Sequence, residues 1–269
     1  MPPDLPVTIV PLHIKMGAQT YLDNGELDEQ MFFDLYRRSG ERVRVLPPTV
    51  DEFYQVYSAL HQTTGEILSI HLPSKLGQTI EHARRAANML LGQCKIQVID
   101  AETTSLGLGI LVEAAARAAT TGEHIDDIVR YIRGIVPQIY IVFFAENLDD
   151  LKHADGIGEA QALLGTMLGI KPLFTLESGE IIPIEKVRRR SEAVEKLIEF
   201  VTEFDAINQV AIIKNSDAPT EETTYIAEQL RDEFPGIEVP VMAYGPVLMS
   251  YIGPAALGVV VYEDTSLEV

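Results

Sequence analysis

Apolar and polar positions follow two different periods along this chain, and the clearest switch between them falls within residues 65–91. Residues 66–72, Glu-Ile-Leu-Ser-Ile-His-Leu, read as a buried strand. From Thr79 onward, Ala83, Ala86, Ala87, Leu90 and Leu91 share one face, while Glu81, Arg84 and Arg85 lie off it, which predicts a helix. Between them stands Pro73-Ser74-Lys75-Leu76-Gly77-Gln78. A strand, a short loop and a helix start leave free N–H groups and the positive end of the helix dipole at the strand's carboxyl end, an arrangement that suits an anion. Ser74 adds a hydroxyl there and Lys75 a positive charge. The plainer use of the same residues is a helix cap at Ser74 and a solvated Lys75, and composition alone favours that use.

The remaining periodicities fill in an alternation. Before the loop they predict a strand over 7–14, with Pro11 marking an edge or an end, and a turn over 21–25. A helix follows over 28–38, with Met31, Phe32, Phe33 and Leu35 inward, then a stiff loop over 45–49. Thr49, with Glu52 three residues on, is an N-cap for a helix over 50–61. After the loop comes a strand over 95–100 that ends in Asp100, then an apolar helix over 106–121. Gly107 and Gly109 open that helix, but Val112 stands where a dinucleotide fingerprint needs its third glycine, so close packing of helix on strand is the better reading. A helix over 124–133 and a strand over 139–144 follow.

Beyond residue 145 the pattern predicts helices over 147–153 and 159–168 on either side of Gly156-Ile157-Gly158. Strands over 172–176 and 181–184 flank Glu177-Ser178-Gly179-Glu180, a hairpin. The basic run Lys186-Val187-Arg188-Arg189-Arg190 opens a helix to 204 and serves either as a solvated face or as an anion or partner site. A strand over 210–214, a helix over 221–234 and a strand over 239–243 form a second α/β unit; a Gly- and Pro-rich stretch over 244–258 leads to a last strand over 259–262. The expectation is an α/β protein with mostly parallel, doubly wound sheets, divided into domains 1–144 and 145–269.

Composition narrows the chemistry. With 269 residues, 46% of them hydrophobic, the chain can bury a substantial core. A net charge of −19 argues against nucleic acid or an anionic membrane surface as partner. No run is apolar enough to span a bilayer and no signal peptide opens the chain; together with the single Cys94, read as a packing residue, this predicts a reducing cytoplasm. The six histidines show no H-E-x-x-H spacing and no cysteine pair exists, so no metal is expected. Neither G-x-S-x-G nor a Walker loop is present, so no cofactor and no catalytic nucleophile with its base is predicted.

Several ordered motifs resemble one family. They are Val10-Pro11-Leu12, Ser74 with Leu76 and Thr79, Val98-Ile99-Asp100, and Ser105-Leu106-Gly107-Leu108-Gly109. Further on stand the run from Gln161 to Leu173 (QALLGTMLGIKPL), Gly179-Glu180-Ile181, Lys186-Val187-Arg188, Gly245-Pro246-Val247 and Gly253-Pro254-Ala255-Ala256-Leu257-Gly258. Over nearly its whole length the chain is similar to the bacterial DegV family of fatty-acid-binding proteins. The resemblance implies two α/β domains with a long-chain fatty acid between them, its tail in an apolar channel and its carboxylate against hydroxyls at the loop ends. It implies a carrier, not an enzyme, that presents its lipid to a separate fatty acid kinase subunit.

Carried over residue by residue, the resemblance makes Ser74 the main head-group hydroxyl, with Thr79 second and Thr49 third; Lys75, Arg188 and Tyr251 complete the expected ligand-binding set. Departures from the family pattern are Val45 and Leu46 in place of head-group hydroxyls, Pro73 for one of a serine pair, Ala101 for a serine, Gly156 for an arginine, and Tyr251 for a histidine. The family's opening strand, ending in Asp-Ser-Thr, is expected to be missing. A phenol stays neutral where an imidazole takes a proton, so this chain is expected to bind lipid but to be a poor carrier for a kinase, with Arg188 holding the anion. The alternative is an enzyme or sensor that uses the same loop and Arg188 on a small phosphorylated or carboxylated metabolite.

Overall fold

A computed structural model describes residues 4–24, 31–32, 43–146 and 169–265. Three sheets carry the strands among these residues. The first is a small antiparallel sheet of β1 (His13–Met16), β2 (Gln19–Leu22) and β3 (Val43–Leu46), with β1 in the middle. The second is the parallel pair β4 (Glu66–His71) and β5 (Lys95–Asp100). The third has six strands: β6 (Ile139–Phe144), β7 (Lys171–Glu177), β8 (Glu180–Val187), β9 (Ile207–Lys214), β10 (Val241–Ala243) and β11 (Leu257–Glu263), in the order β10-β9-β11-β6-β7-β8.

Period-two alternation sorts the six-stranded sheet into two faces. Val142, Phe144, Leu173, Ile212, Val259 and Val261 pack with α5 (Arg190–Thr202) and α6 (Glu221–Glu233). Ile141, Phe143, Phe174, Ile213 and Val260 turn the other way, into a cluster shared with α3 (Ser105–Thr120), α4 (Ile125–Ile135), α7 (Pro246–Ile252) and the inner side of β4 and β5. The outer side of that pair is covered by α1 (Val50–His61) and α2 (Thr79–Met89) through Phe53, Tyr57, Ile67, Ala83, Ala86, Leu90 and Cys94. Cys94 is thus a packing residue, 7% exposed.

Residues 50–61 and 95–100 form their elements with the expected bounds, and Thr49 with Glu52 closes the capping box. Gly107 packs helix on strand as read: a Cβ there would stand 2.9 Å from an Ile139 side-chain carbon and closer still to the Thr103 hydroxyl. The α/β architecture holds, but mostly parallel pairing does not. Among the described residues only β4–β5 and β9–β10 pair in parallel. The chain reverses before β11, which enters antiparallel between β6 and β9, and the β7–β8 hairpin adds antiparallel edges. Strand β6 lies in the six-stranded sheet, which therefore draws on both sides of residue 144.

The N-terminal reading shifts more. Residues 7–12 are not in a strand; a tight turn at Gly17, φ 59°, joins β1 to β2, and a turn at Asp23 and Asn24 follows β2 within the stretch read as one. The stretch over 244–258 hides helix α7, which Pro246 opens at its first turn. The basic run divides: Lys186 and Val187 end β8, and Arg190 begins α5. Of the helix expected over 28–38, Phe32 is buried and Met31 is exposed. The rest of that helix, the helices over 147–153 and 159–168 and the Gly156–Gly158 break lie outside the described residues.

Candidate functional site

β4 ends at His71, and a short 3-10 turn, Ser74–Leu76, leads into α2. The turn is stapled to the neighbouring strand by Asp100. Its Oδ2 accepts from the Ser74 N–H (3.2 Å) and its Oδ1 from the Glu102 N–H (3.0 Å), while the Ala101 N–H donates to the His71 carbonyl (2.9 Å). One carboxylate therefore sets the spacing of the loops after β4 and β5.

Residues far along the chain close over this turn. Ser178 and Gly179, with φ of 48° and 78°, make the tight β7–β8 turn, and a Cβ on Gly179 would lie 2.8 Å from the Pro73 Cβ. Glu180 pairs with Lys75 at 3.8 Å. From α7, the buried Tyr251 hydroxyl donates to the Leu76 carbonyl at 2.9 Å. Among the described residues the non-glycine positive φ values belong to Glu102 (50°), Ser105 (52°) and Ser178 (48°), all in the loops that meet here. Strained backbone gathered at one place is a mark of a working site.

The helix starts converge on the same end of β4. Phe53 stacks edge-on against His71 at 5.1 Å and Tyr57 reaches Ser69, so α1 runs antiparallel to β4 and begins over its carboxyl end. His82 of α2 bonds the Pro48 carbonyl at 2.7 Å, joining the two starts. They differ in how their free N–H groups are met. The start of α1 is sealed: Thr49 accepts from the Glu52 N–H (3.2 Å) and donates to Glu52 Oε2 (2.8 Å), and His13 also reaches Glu52. The start of α2 has no side-chain cap.

The predicted residues therefore separate. Ser74 and Thr79 belong to the open start of α2. The Ser74 hydroxyl is exposed, Thr79 is 5% exposed, and neither hydroxyl has a hydrogen-bond partner among the described residues. Thr49 stands close by but spends its hydroxyl on the α1 cap. Lys75 is solvated, 61% exposed, apart from its contact with Glu180. Tyr251 comes to the turn, with its hydroxyl proton committed to Leu76. Arg188 does not join them. It follows β8 at the end opposite the hairpin tip, roughly 25 Å of strand away from Glu180.

Sequence reasoning missed a buried chain of polar groups. The Tyr57 and Ser69 hydroxyls are 2.7 Å apart, and Ser69 Oγ is 2.6 Å from His71 Nε2. Burial pushes the Tyr57 pKa up to about 12 against the Ser69 bond, and burial pushes His71 down to about 4. The signal was present: Ser69 and His71, two apart on a strand, share a face with Ile67.

A second polar cluster lies beyond the carboxyl ends of β6 and β9. Arg190 donates Nε and Nη2 to Glu222 (2.6 and 2.9 Å), and Nη1 to Glu146 (2.7 Å) and the Ala255 carbonyl (3.3 Å). Its guanidinium lies 4.9 Å from the Phe144 ring centre. Lys171 bonds the Glu146 carboxylate and carbonyl. Burial works to raise the Glu146 pKa, but the bonds from Lys171 and Arg190 hold it below the usual carboxylate range. A cleft of about 710 Å³ opens beside them, with Lys214, Asn215 and Thr220 on its wall. Among the described residues no group of acids, histidines and cysteines could hold a metal ion, and no helix is long and apolar enough to cross a membrane.

This combination, a strand–turn–helix loop at the end of β4 gripped by the six-stranded sheet's hairpin, defines an α/β binding fold. A family profile described as "Uncharacterised protein, DegV family" matches residues 3–264, and the chain belongs to that family. A DegV domain-containing protein of Streptomyces coelicolor is 30% identical over 257 residues, which cover 95% of this chain and 90% of that protein. Two solved structures are each 25% identical. One, described as showing fatty acid binding of a DegV family protein from Thermus thermophilus, has a TM-score of 0.83 and covers 95% of this chain and 91% of its own. The other, of DegV from Bacillus subtilis, described as a fatty acid binding protein, has a TM-score of 0.82 and covers 94% and 91%.

Proposed function

We propose that this protein binds a long-chain fatty acid with its carboxylate at the open start of α2. The observation that carries the reading is local: the start of α2 has no side-chain cap and stands beside two hydroxyls, of Ser74 and Thr79, that lack a hydrogen-bond partner among the described residues. A carboxylate supplies acceptors for all of them, and the helix dipole favours its charge. The relatives described as fatty acid binding share this fold. Leu72 and Leu76, at the turn, belong to one buried apolar cluster with Ile110, Leu248 and Met249, which an acyl tail can extend. Each methylene so buried contributes about 0.8 kcal/mol before association costs.

In this reading the protein works in the cytoplasm as a carrier and carries out no chemistry itself. A separate fatty acid kinase subunit is the partner we assign to it, and transfer to that subunit is weak, because Tyr251 has no proton to lend a developing anion beyond the one held by Leu76. The test of binding is an organic extract of the purified protein analysed by mass spectrometry, with thermal melting in the presence of added palmitate. A long-chain fatty acid in the extract and a rise in Tm are expected. Empty extracts from well-folded protein, with no shift in Tm, would remove the reading.

A further inference from the structure

We infer that His71 is a head-group ligand of this site, presenting a fixed neutral N–H from its Nδ1 that Tyr57 and Ser69 hold in place from behind. The inference rests on the fatty-acid reading and adds a residue to it.

The argument is one of counting protons. Tyr57 is 2% exposed, and its hydroxyl has Ser69 Oγ as its only hydrogen-bond partner among the described residues. A buried O–H without an acceptor is costly, so Tyr57 donates to Ser69. Ser69, 8% exposed, then has its own proton to place, and the atom in reach is His71 Nε2 at 2.6 Å. Nε2 must accept. A neutral imidazole that accepts at Nε2 carries its proton on Nδ1. The reverse direction, from Nε2–H through Ser69 to Tyr57, would strand the phenolic proton in the core.

Direction follows from the ring. The two imidazole nitrogens point in nearly opposite directions. Nε2 faces Ser69, two residues back along β4 on the same face, so Nδ1 faces forward, toward the strand's carboxyl end. That is where the starts of α1 and α2 converge, α2 beginning at Thr79. Nδ1 has no hydrogen-bond partner among the described residues. The Phe53 ring, edge-on at 5.1 Å, stops the imidazole from turning away. Burial opposes a charged imidazolium, so the donor stays neutral at physiological pH. Of the ionisable groups at these helix starts, Glu52 is bonded to Thr49 and His13, His82 to Pro48, and Asp100 to the backbone of Ser74 and Glu102, while Asp51 and Glu81 of the two first turns are exposed to solvent. Tyr57 and Ser69 are positioning residues, acting on the ligand only through the tautomer they impose.

The experiment is nitrogen-15 NMR of the histidine rings in the ligand-free protein, followed by addition of palmitate and, separately, of acetate. His71 should show the Nδ1–H tautomer above about pH 5, and palmitate should move its N–H proton downfield. Tyr57→Phe should mix the two tautomers and weaken palmitate binding several-fold with the fold intact. His71→Asn, whose amide N–H stands where Nδ1 does, should retain most of the affinity that His71→Phe loses. An Nε2–H tautomer in the wild type, or an Nδ1–H signal that neither acid perturbs, would overturn the inference. A response to acetate with no gain in affinity for palmitate would keep the donor and sink the lipid reading instead.

Discussion

The turn after β4 and the Arg190 cluster both gather polar groups at the carboxyl ends of strands, yet they are finished differently. At Arg190 each charge has its counterpart: two carboxylates, a second cation and a carbonyl are mutually bonded, and the guanidinium covers a ring. At the turn, the start of α1 is sealed and that of α2 is not, the two hydroxyls of Ser74 and Thr79 lack partners among the described residues, and three residues of the adjoining loops hold strained backbone. The comparison teaches that density of charge is a poor guide to a binding site. A saturated cluster pins α5 to α6 and to the end of β6; an unsaturated one has something left to offer a ligand.

Acid should separate the two regions most strongly. His71 remains neutral in the folded chain to about pH 4, whereas an unfolded histidine takes up its proton near 6.5. Between those values the unfolded chain binds the extra proton, so this contribution to stability is fully present above pH 6.5 and lost as the pH falls toward 4. The loss should reach up to about 3 kcal/mol. Urea denaturation of wild type and His71→Asn at about pH 7 and about pH 4.5 would show it as a difference between the two slopes, since the carboxylates are common to both. Parallel slopes would mean that His71 is not held neutral by burial.

The next effect belongs to the saturated cluster. Arg190→Ala leaves Glu146 and Glu222 facing each other and should destabilise the fold by roughly 2–3 kcal/mol, less than for a deeply buried pair because water reaches the site. Affinity for palmitate should hardly change. A variant that folds normally but loses its lipid would move the functional site to Arg190.

The smallest effects test the two ends of β8. Ser74→Ala should weaken palmitate binding by about 1–2 kcal/mol without lowering Tm, because it removes one charge-assisted bond. Arg188→Ala, an exposed side chain far from the turn, should alter affinity and stability by less than about 0.5 kcal/mol. If Arg188 matters as much as Ser74, the head group does not lie at α2.

How much of this could be read beforehand depends on how local each signal is. Residues 49–61 carry their cap and their apolar face within themselves, and β5 sets Ile96, Val98 and Ile99 between polar ends, so both were legible. The pairing of β1 with β3 brings His13 beside Leu46, and four-residue strands leave little periodicity to betray it. Helix α7 was masked by Gly245, Pro246, Gly253 and Pro254, which frame it without interrupting it. Around the turn, Ser74 and Lys75 could be picked from the strand–loop–helix pattern, and Thr79 only through the family resemblance. That Thr49 is spent on its cap, that Arg188 stands at the end of β8 away from the turn, and that His71 has company behind it are facts of three-dimensional placement.

The hydrogen bond from Tyr251 to Leu76 joins residues 175 positions apart. The turn's other partners, Gly179 and Glu180, also come more than a hundred residues after it. During synthesis, then, β4 and α2 can form as soon as they emerge, but the turn between them waits for nearly the whole chain. The turn to which we assign the head group is completed as one of the last folding events, so a half-made chain offers its apolar surface without the end that, in this reading, tells a fatty acid from any other grease.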